Sequence, residues 1–356
     1  MPPRQRLAPE VFDLPVEKMR AGWYSDAYFN HARSVLLEDG RHPHVVVQVF
    51  QKKHSWLGGM DEAIAILELC SLGDGLVIRA LHDGDRIEPW EPVLTIEGDY
   101  TAFAHLETAV LGTLARRTLI TTNVVRVLEA ANGKPIIFMP ARHDHHRVQA
   151  GDGYAAYVAG QVVGREIGVT SDEQASWWGG RAIGTVPHSL IAAYGGDTVL
   201  AAEKFAAWAP AGMNVTVLVD FENDSVGTAL AVAAALGDRL WGVRLDTSES
   251  LVDRALFDEL GDFAPTGVNE RLVRKVRAAL DGAGHERVRI VASGGFTVDK
   301  IRDFEERRVP VDAYGVGSSL IRGSNDFTAD VVVTDGQPSG KFGRRLRESG
   351  RLELVQ

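Results

Sequence analysis

The sequence predicts an α/β protein: an incomplete α/β barrel joined to an N-terminal α/β domain of half-barrel or sandwich-like type. Three observations lead there. From Gly133 onward, short β-branched runs alternate with amphipathic helices, and strands separated by helices pair in parallel through crossovers. Six or seven such units follow one another, which suits a barrel better than an open sheet. Before residue 126 the pattern is different, with a turn-rich stretch, HDGDRIEPWEPVLTIEGDY, whose apolar residues alternate from Val93 to Ile96 as in antiparallel hairpins. At 356 residues the chain exceeds one average domain. The expected division is 1–125 for the N-terminal domain and 126–326 for the barrel. The tail 327–356 either packs back on the first domain or stays solvated.

Taken in order, the first part holds a strand at His44–Phe50, a helix at Gly59–Leu72 and a strand at Gly75–Leu81. A long helical region from Phe103 to Ala131 follows, with a break expected near Thr118–Thr122. Barrel strands are expected at Pro135–Met139, Ile183–Thr185, Val215–Val219, Trp241–Leu245, Val288–Ala292 and Asp312–Gly315. Helices are expected at about 151–164, 172–179, 187–194, 198–207, 225–236, 250–260, 268–281 and 298–307. A last strand, Ala329–Val333, precedes the basic tail GKFGRRLRESGR.

Composition narrows the function. Hydrophobic residues make up 45% and charged residues 24%, enough for a buried core. A net charge of −10 argues against nonspecific binding to nucleic acid or to an anionic membrane. The single cysteine, Cys70, lies in an apolar helical run and suits a reducing compartment. The leading MPPRQRLAPEVF has no apolar core of a signal peptide, and no segment is long enough to cross a bilayer. A cytoplasmic protein acting on small molecules is the expectation.

Five motifs carry chemistry. VRIVASGGFTVDKI sets Ser293, Gly294 and Gly295 after a buried strand and before a helix, and VDAYGVGSSLI sets Gly315, Gly317 and Ser318 after the next strand. Glycines let a backbone approach a phosphate closely, and N–H groups at helix starts supply donors. Two such loops in succession form the phosphate grip found near the last strands of α/β barrels. In LWGVRLDTSES, period two puts Arg244 and Asp246 on one strand face; burying that pair for structure alone is costly, so a ligand role is favoured over a structural salt bridge. Asp220 ends the preceding strand, where it suits ribose hydroxyls, a Mg²⁺ held partly by phosphate, or the capping of the next helix. RAIGTVPHSLI follows Thr185 with Pro187 and His188 at a helix start, where the dipole is expected to keep the imidazole neutral. IIFMPARHDHHR holds Arg142 as an anion contact, with a zinc site unsupported by any thiolate.

Together with YSDAYF, LETAVLG and the hairpin region, these motifs resemble the nicotinate phosphoribosyltransferase family, within the type II group that includes quinolinate phosphoribosyltransferase. The resemblance covers nearly the whole chain. It implies transfer of phosphoribose from 5-phosphoribosyl 1-pyrophosphate (PRPP) to nicotinate, in NAD biosynthesis or salvage, with Mg²⁺ as cofactor and ATP as a coupled substrate. It implies that Tyr28 stacks on the pyridine ring, from the partner subunit of a homodimer or larger homo-oligomer. By the same resemblance Arg244 pairs with the base carboxylate, and Asp246 and Asp220 contact ribose or metal. Ser293, Gly294, Gly295, Gly315, Gly317 and Ser318 hold the 5′-phosphate. Arg142 binds phosphate or pyrophosphate, and His188 matches the histidine that ATP-coupled members phosphorylate. Three features depart from the family pattern: Arg142-His143 stands where paired arginines are usual, the Gln161–Thr170 stretch is longer, and no cysteine-rich zinc module is present, so structural zinc is not expected.

Three alternatives stand beside this reading. A quinolinate enzyme needs several cations for two carboxylates, yet Glu107 is followed by Thr108 rather than the arginine of that family. A non-catalytic nucleotide-binding relative has only the altered Arg142-His143 pair in its favour. An isomerase or aldolase barrel lacks a candidate Schiff-base lysine on a strand.

Overall fold

The computed structural model describes residues 5–259, 261 and 263–355. Residues 1–4 of the leading segment and Leu260 of the helix expected at 250–260 lie outside them. Among the described residues, fourteen strands follow in chain order. The first five are β1 (His44–Phe50), β2 (Ser55–Trp56), β3 (Val77–Ala80), β4 (Arg86–Ile87) and β5 (Pro92–Asp99). Then come β6 (Ile136–Phe138), β7 (Ile167–Val169), β8 (Val215–Leu218), β9 (Leu240–Leu245), β10 (Arg289–Ala292) and β11 (Ala313–Val316). The last three are β12 (Thr328–Thr334), β13 (Gln337–Pro338) and β14 (Glu353–Leu354). The chain divides into two compact units. One takes Met1–Val125, Tyr154–Val162 and Gly323–Gln356; the other takes Arg126–Gly153 and Val163–Arg322.

The first unit is built on a six-stranded sheet, β13-β12-β1-β5-β3-β14, whose pairings are antiparallel. Val45, Val47 and Val49 of β1 are buried together with Leu94 and Ile96 of β5 and with Ile64 and Leu67 of the helix Met60–Cys70. Burying these side chains contributes about 2 kcal/mol each and is the main stabilising effect here. The Asp83 carboxylate accepts from the Met60 and Asp61 N–H groups (2.7 and 3.3 Å) and so satisfies two donors at the start of that helix. The tail contributes β12 beside β1 and β14 beside β3.

The helix Glu107–Ala130 runs without the break expected at Thr118–Thr122. Its threonines are occupied by partners outside the helix. The Thr118 hydroxyl accepts from Gly58 N–H (3.1 Å), and the Thr122 hydroxyl accepts from Trp56 N–H (3.0 Å). Thr121 donates to the Ala155 carbonyl at 3.2 Å. A threonine run lowers helix propensity by only tenths of a kcal/mol per residue, and these bonds outweigh it.

The second unit holds a parallel sheet in the order β7-β6-β11-β10-β9-β8. Two expectations are corrected at its edges. Ile167–Val169, read as part of a long loop, is an edge strand. Ile183–Thr185, read as a strand, forms none. Instead Ile183 N–H donates to Val169 O (2.8 Å), while Val186 N–H donates to Thr216 O (2.9 Å). This segment thus touches β7 by one bond and β8 by an isolated parallel bridge, Val186 with Val217, and the barrel is left incomplete. The segment expected as a helix at 250–260 is a 3₁₀ turn, Arg254–Glu259, following a bridge between Val252 and Thr266. Ile137, Val291 and Ala313 pack on one face with Met139 and Trp241.

Candidate active site

Strand register builds the site. Leu218 pairs with Arg244, Arg244 with Val291 and Val291 with Ala313, so these four stand at one level on one sheet face. Two residues further along each chain, on the same face, come Asp220, Asp246, Ser293 and Gly315. The C-terminal rim of a parallel barrel is where such folds place their chemistry. A cleft of about 490 Å³ opens there, walled by Arg244, Asp246 and Ser293 on one side and by both glycine loops on another.

Arg244 is held from three directions. Its Nε donates to Ser293 Oγ (2.8 Å), its Nη1 to Thr185 Oγ1 (3.3 Å), and its Nη2 lies 3.2 Å from Asp246 Oδ2. The buried Ser293 hydroxyl in turn donates to Asp246 Oδ1 at 2.7 Å. Ser293 was expected on the phosphate, but its hydroxyl is engaged within this network and orients the Arg244–Asp246 pair.

The glycines stand where a side chain does not fit. Gly294 and Gly295 have φ of 83° and 66°, and a Cβ on Gly295 would fall on the Glu249 carboxylate. A Cβ on Gly315 would lie 2.6 Å from Met139 Sδ and 3.1 Å from Ser293 Cβ, its neighbours around the barrel. At Gly317 it would meet His143 Nε2 at 3.0 Å. Among the described residues, the N–H groups of Gly294, Gly295 and Ser318 donate to no protein acceptor, leaving donors for an anion. Arg142 and His143 line the same cleft.

His188 departs from expectation. Its Nε2 lies 3.1 Å from Asp220 Oδ1, and this hydrogen bond raises the imidazole pKa above its ordinary value, with the Asp246 charge adding to it and burial opposing it. The helix dipole was expected to keep the ring neutral; a nearly buried carboxylate at bonding distance outweighs a six-residue helix. Asp220 is therefore no helix cap. Asp224 takes that role for the helix Ser225–Leu236 by accepting from Gly227 N–H at 3.1 Å.

Tyr28 belongs to the first unit, exposed on the helix Ala27–Glu38, with its hydroxyl 3.3 Å from Asp26. The cleft also takes Thr170, Glu249, Phe296, Ser319 and Arg322, which the sequence reading passed over. Thr170 follows the unrecognised strand β7, so identifying that strand was the signal that could have found it. No group of three or more His, Cys, Asp or Glu side chains that could hold a metal occurs among the described residues. Both Asp246 oxygens already face donors, and one Asp220 oxygen faces His188, so direct metal ligation by these carboxylates would compete with those contacts.

An incomplete parallel α/β barrel with glycine loops at its strand ends and a positioned arginine beside them defines an α/β protein with a candidate anion site. Known proteins narrow the class. Residues 26–118 match the family model for the N-terminal domain of quinolinate phosphoribosyl transferase. The chain is 35% identical over 273 residues to nicotinate phosphoribosyltransferase pncB1 of Mycobacterium tuberculosis, covering 74% of this chain and 55% of that protein. It spans about half the length of the curated relatives it matches. The crystal structure of nicotinate-nucleotide pyrophosphorylase from Pyrococcus furiosus superposes with a TM-score of 0.80 at 30% identity, covering 96% of this chain and 85% of that one. Human nicotinic acid phosphoribosyltransferase shares the fold, with a TM-score of 0.66 at 18% identity over 90% of this chain and 77% of the other. The chain belongs to the type II phosphoribosyltransferase family, which includes the nicotinate and quinolinate enzymes.

Proposed function

We propose that this protein transfers phosphoribose from PRPP to nicotinate, giving nicotinate mononucleotide and pyrophosphate. The observation that carries the reading is Arg244, fixed by Asp246, Ser293 and Thr185 in the wall of a cleft that also holds both glycine loops. A guanidinium so held presents a planar donor face to a carboxylate. Displacement at the anomeric carbon has oxocarbenium character, so what the protein must supply is position and charge; the pyridine nitrogen is nucleophilic without a base. In this reading the Gly294, Gly295 and Ser318 N–H groups take the 5′-phosphate and Arg142 takes phosphate or pyrophosphate. Asp246 orients Arg244 and faces the ribose. Mg²⁺ enters as the counter-ion of PRPP and offsets pyrophosphate charge.

The ATP-coupled role of His188 is part of the proposal. Asp220 occupies Nε2, which leaves Nδ1 as the nitrogen open to a phosphoryl group. The active unit is read as a homodimer or larger homo-oligomer in which Tyr28 reaches the base of the partner's site. The helix Ala27–Glu38 has no buried residue, and Trp23, Tyr28 and Val35 around it are more than half exposed, which supports an unmet surface there. No helix among the described residues is long and apolar enough to cross a membrane.

A quinolinate reading has its own support in the family model and in the likeness to the Pyrococcus furiosus pyrophosphorylase. Against it, Arg117, a candidate second cation for the base, is committed to Glu62 at 2.9 Å. The test is the purified protein with PRPP, Mg²⁺ and nicotinate, nicotinamide or quinolinate, following pyrophosphate release with and without ATP. Pyrophosphate release with nicotinate is the expected result, and none with any base overturns the proposal.

A further inference from the structure

We infer that Lys300 is a positioning residue of the phosphate grip: it anchors the Gly294–Gly295 peptide from behind and adds a positive charge beneath the bound phosphate. This rests on the phosphoribosyl reading above. Lys300 is the third residue of the helix Val298–Glu306. Its ammonium lies 3.5 Å from the Gly294 carbonyl oxygen and 4.5 Å from the centroid of the Phe296 ring. Gly294, Gly295 and Phe296 line the cleft, whereas Lys300 stands outside its lining.

A peptide unit is planar and trans, so tying the Gly294 carbonyl to Lys300 turns the Gly295 N–H to the opposite side. Two successive glycines with positive φ have many orientations open to them, and an anchor that selects one removes that freedom before the ligand arrives. The Phe296 ring seats the ammonium and keeps it at this carbonyl rather than in solvent.

The placement runs against local preference, which is what points to a ligand. A cation in the first turn of a helix faces the positive end of the dipole. Burial strips its hydration and pushes the lysine pKa down, opposed only by the charge of Glu249. No carboxylate of the described residues pairs with it. A phosphate dianion over the Gly294–Gly295 loop supplies the charge that offsets both penalties.

The test measures ribose 5-phosphate binding by calorimetry, and thermal unfolding, for the full chain and its K300M and K300R variants. K300M is expected to bind ribose 5-phosphate about three- to tenfold more weakly. Nicotinate affinity should not move, and K300R should recover most of the loss. The K300M melting temperature should not fall, because a half-buried charge without an ion-pair partner is removed. A purely structural lysine predicts the reverse, a lower melting temperature with affinity unchanged. Affinity decides: K300M that binds ribose 5-phosphate as tightly as the wild type overturns the inference, and so does an equal loss of nicotinate binding. Should K300M fail to fold, K300Q takes its place. Failure of the wild-type protein to bind either ribose 5-phosphate or PRPP strikes the phosphoribosyl reading itself, so the two failures are distinguishable.

Discussion

The Arg244 guanidinium is held in one orientation in the cleft wall, and Asp246 does much of the orienting through both oxygens, one on Arg244 and one on Ser293. Replacing Asp246 by Asn leaves shape intact but removes a charge-assisted contact worth about 1.5–3 kcal/mol. D246N should therefore lose roughly ten- to hundredfold in kcat/KM while melting as a folded protein. Near-normal turnover in a stable D246N would make the pair structural. Arg244→Ala should erode the preference for nicotinate over nicotinamide, read as the ratio of their kcat/KM values. The His188–Asp220 pair predicts a pH effect whose sign follows from the raised imidazole pKa. The stabilisation is fully present below the unfolded histidine pKa of about 6.5 and is lost as pH rises through the higher folded value. Melting temperatures of the wild type and D220N should thus differ most in mild acid and converge at alkaline pH; a constant gap would refute the coupling.

At the scale of elements, the two glycine loops and the long helix make opposite demands. Gly294 has φ of 83° and only 3.3 Å between a prospective Cβ and the Thr247 carbonyl oxygen, so Gly294→Val imposes backbone strain of about 1–3 kcal/mol. PRPP affinity should fall about tenfold or more, with nicotinate affinity unchanged. Gly317→Val should act alike by pushing on His143. A folded Gly294→Val or Gly317→Val with wild-type PRPP affinity would remove the loops from the phosphate site. The helix Glu107–Ala130 depends instead on close approach. A Cβ on Gly58 would lie 2.4 Å from Thr121 Oγ1 and 2.8 Å from the Arg117 carbonyl oxygen. Gly58→Ala is expected to destabilise the protein by about 1–3 kcal/mol in denaturant unfolding. The same helix shows why the expected break at Thr118–Thr122 was wrong: local propensity is visible in sequence, but the backbone groups those threonines bond, at Trp56, Gly58 and Ala155, are brought by tertiary structure.

For the molecule as a whole, base choice and assembly are the properties to measure. With Arg244 as the positioned cation for the base, a second carboxylate is left poorly paired at a cost of about 1–3 kcal/mol. Nicotinate should then exceed quinolinate in kcat/KM by roughly ten- to a hundredfold; equal or better use of quinolinate would overturn the base assignment and leave phosphoribosyl transfer standing. A homodimer is expected in solution, and Tyr28→Ala should raise the KM for nicotinate more than that for PRPP. A monomer active at nanomolar concentration would defeat that arrangement.

Sequence alone determined what repeats or has a local cause. The alternation of β-branched runs and amphipathic helices marks the parallel α/β unit, because crossover geometry leaves few other solutions. Glycine pairs after buried strands mark the loops, because Gly294 and Gly295 take a left-handed backbone and a Cβ on Gly315 or Gly317 would crowd Met139 or His143. Period two placed Arg244 and Asp246 on one face before any contact was known. Tertiary structure decided what depends on neighbours distant in the chain. Ile167–Val169 became a strand because β6 offered it a ladder, and Ile183–Thr185 did not because it meets β7 by one bond from Ile183 and reaches β8 only past its end, at Val186. His188 gained rather than lost basicity because Asp220, 32 residues away, reached its ring. The Ser293 hydroxyl meets Arg244 and Asp246 because barrel register set the three side by side. A pKa, a hydrogen-bond partner and a strand edge are set by which groups meet, and the order of residues along the chain does not contain that meeting.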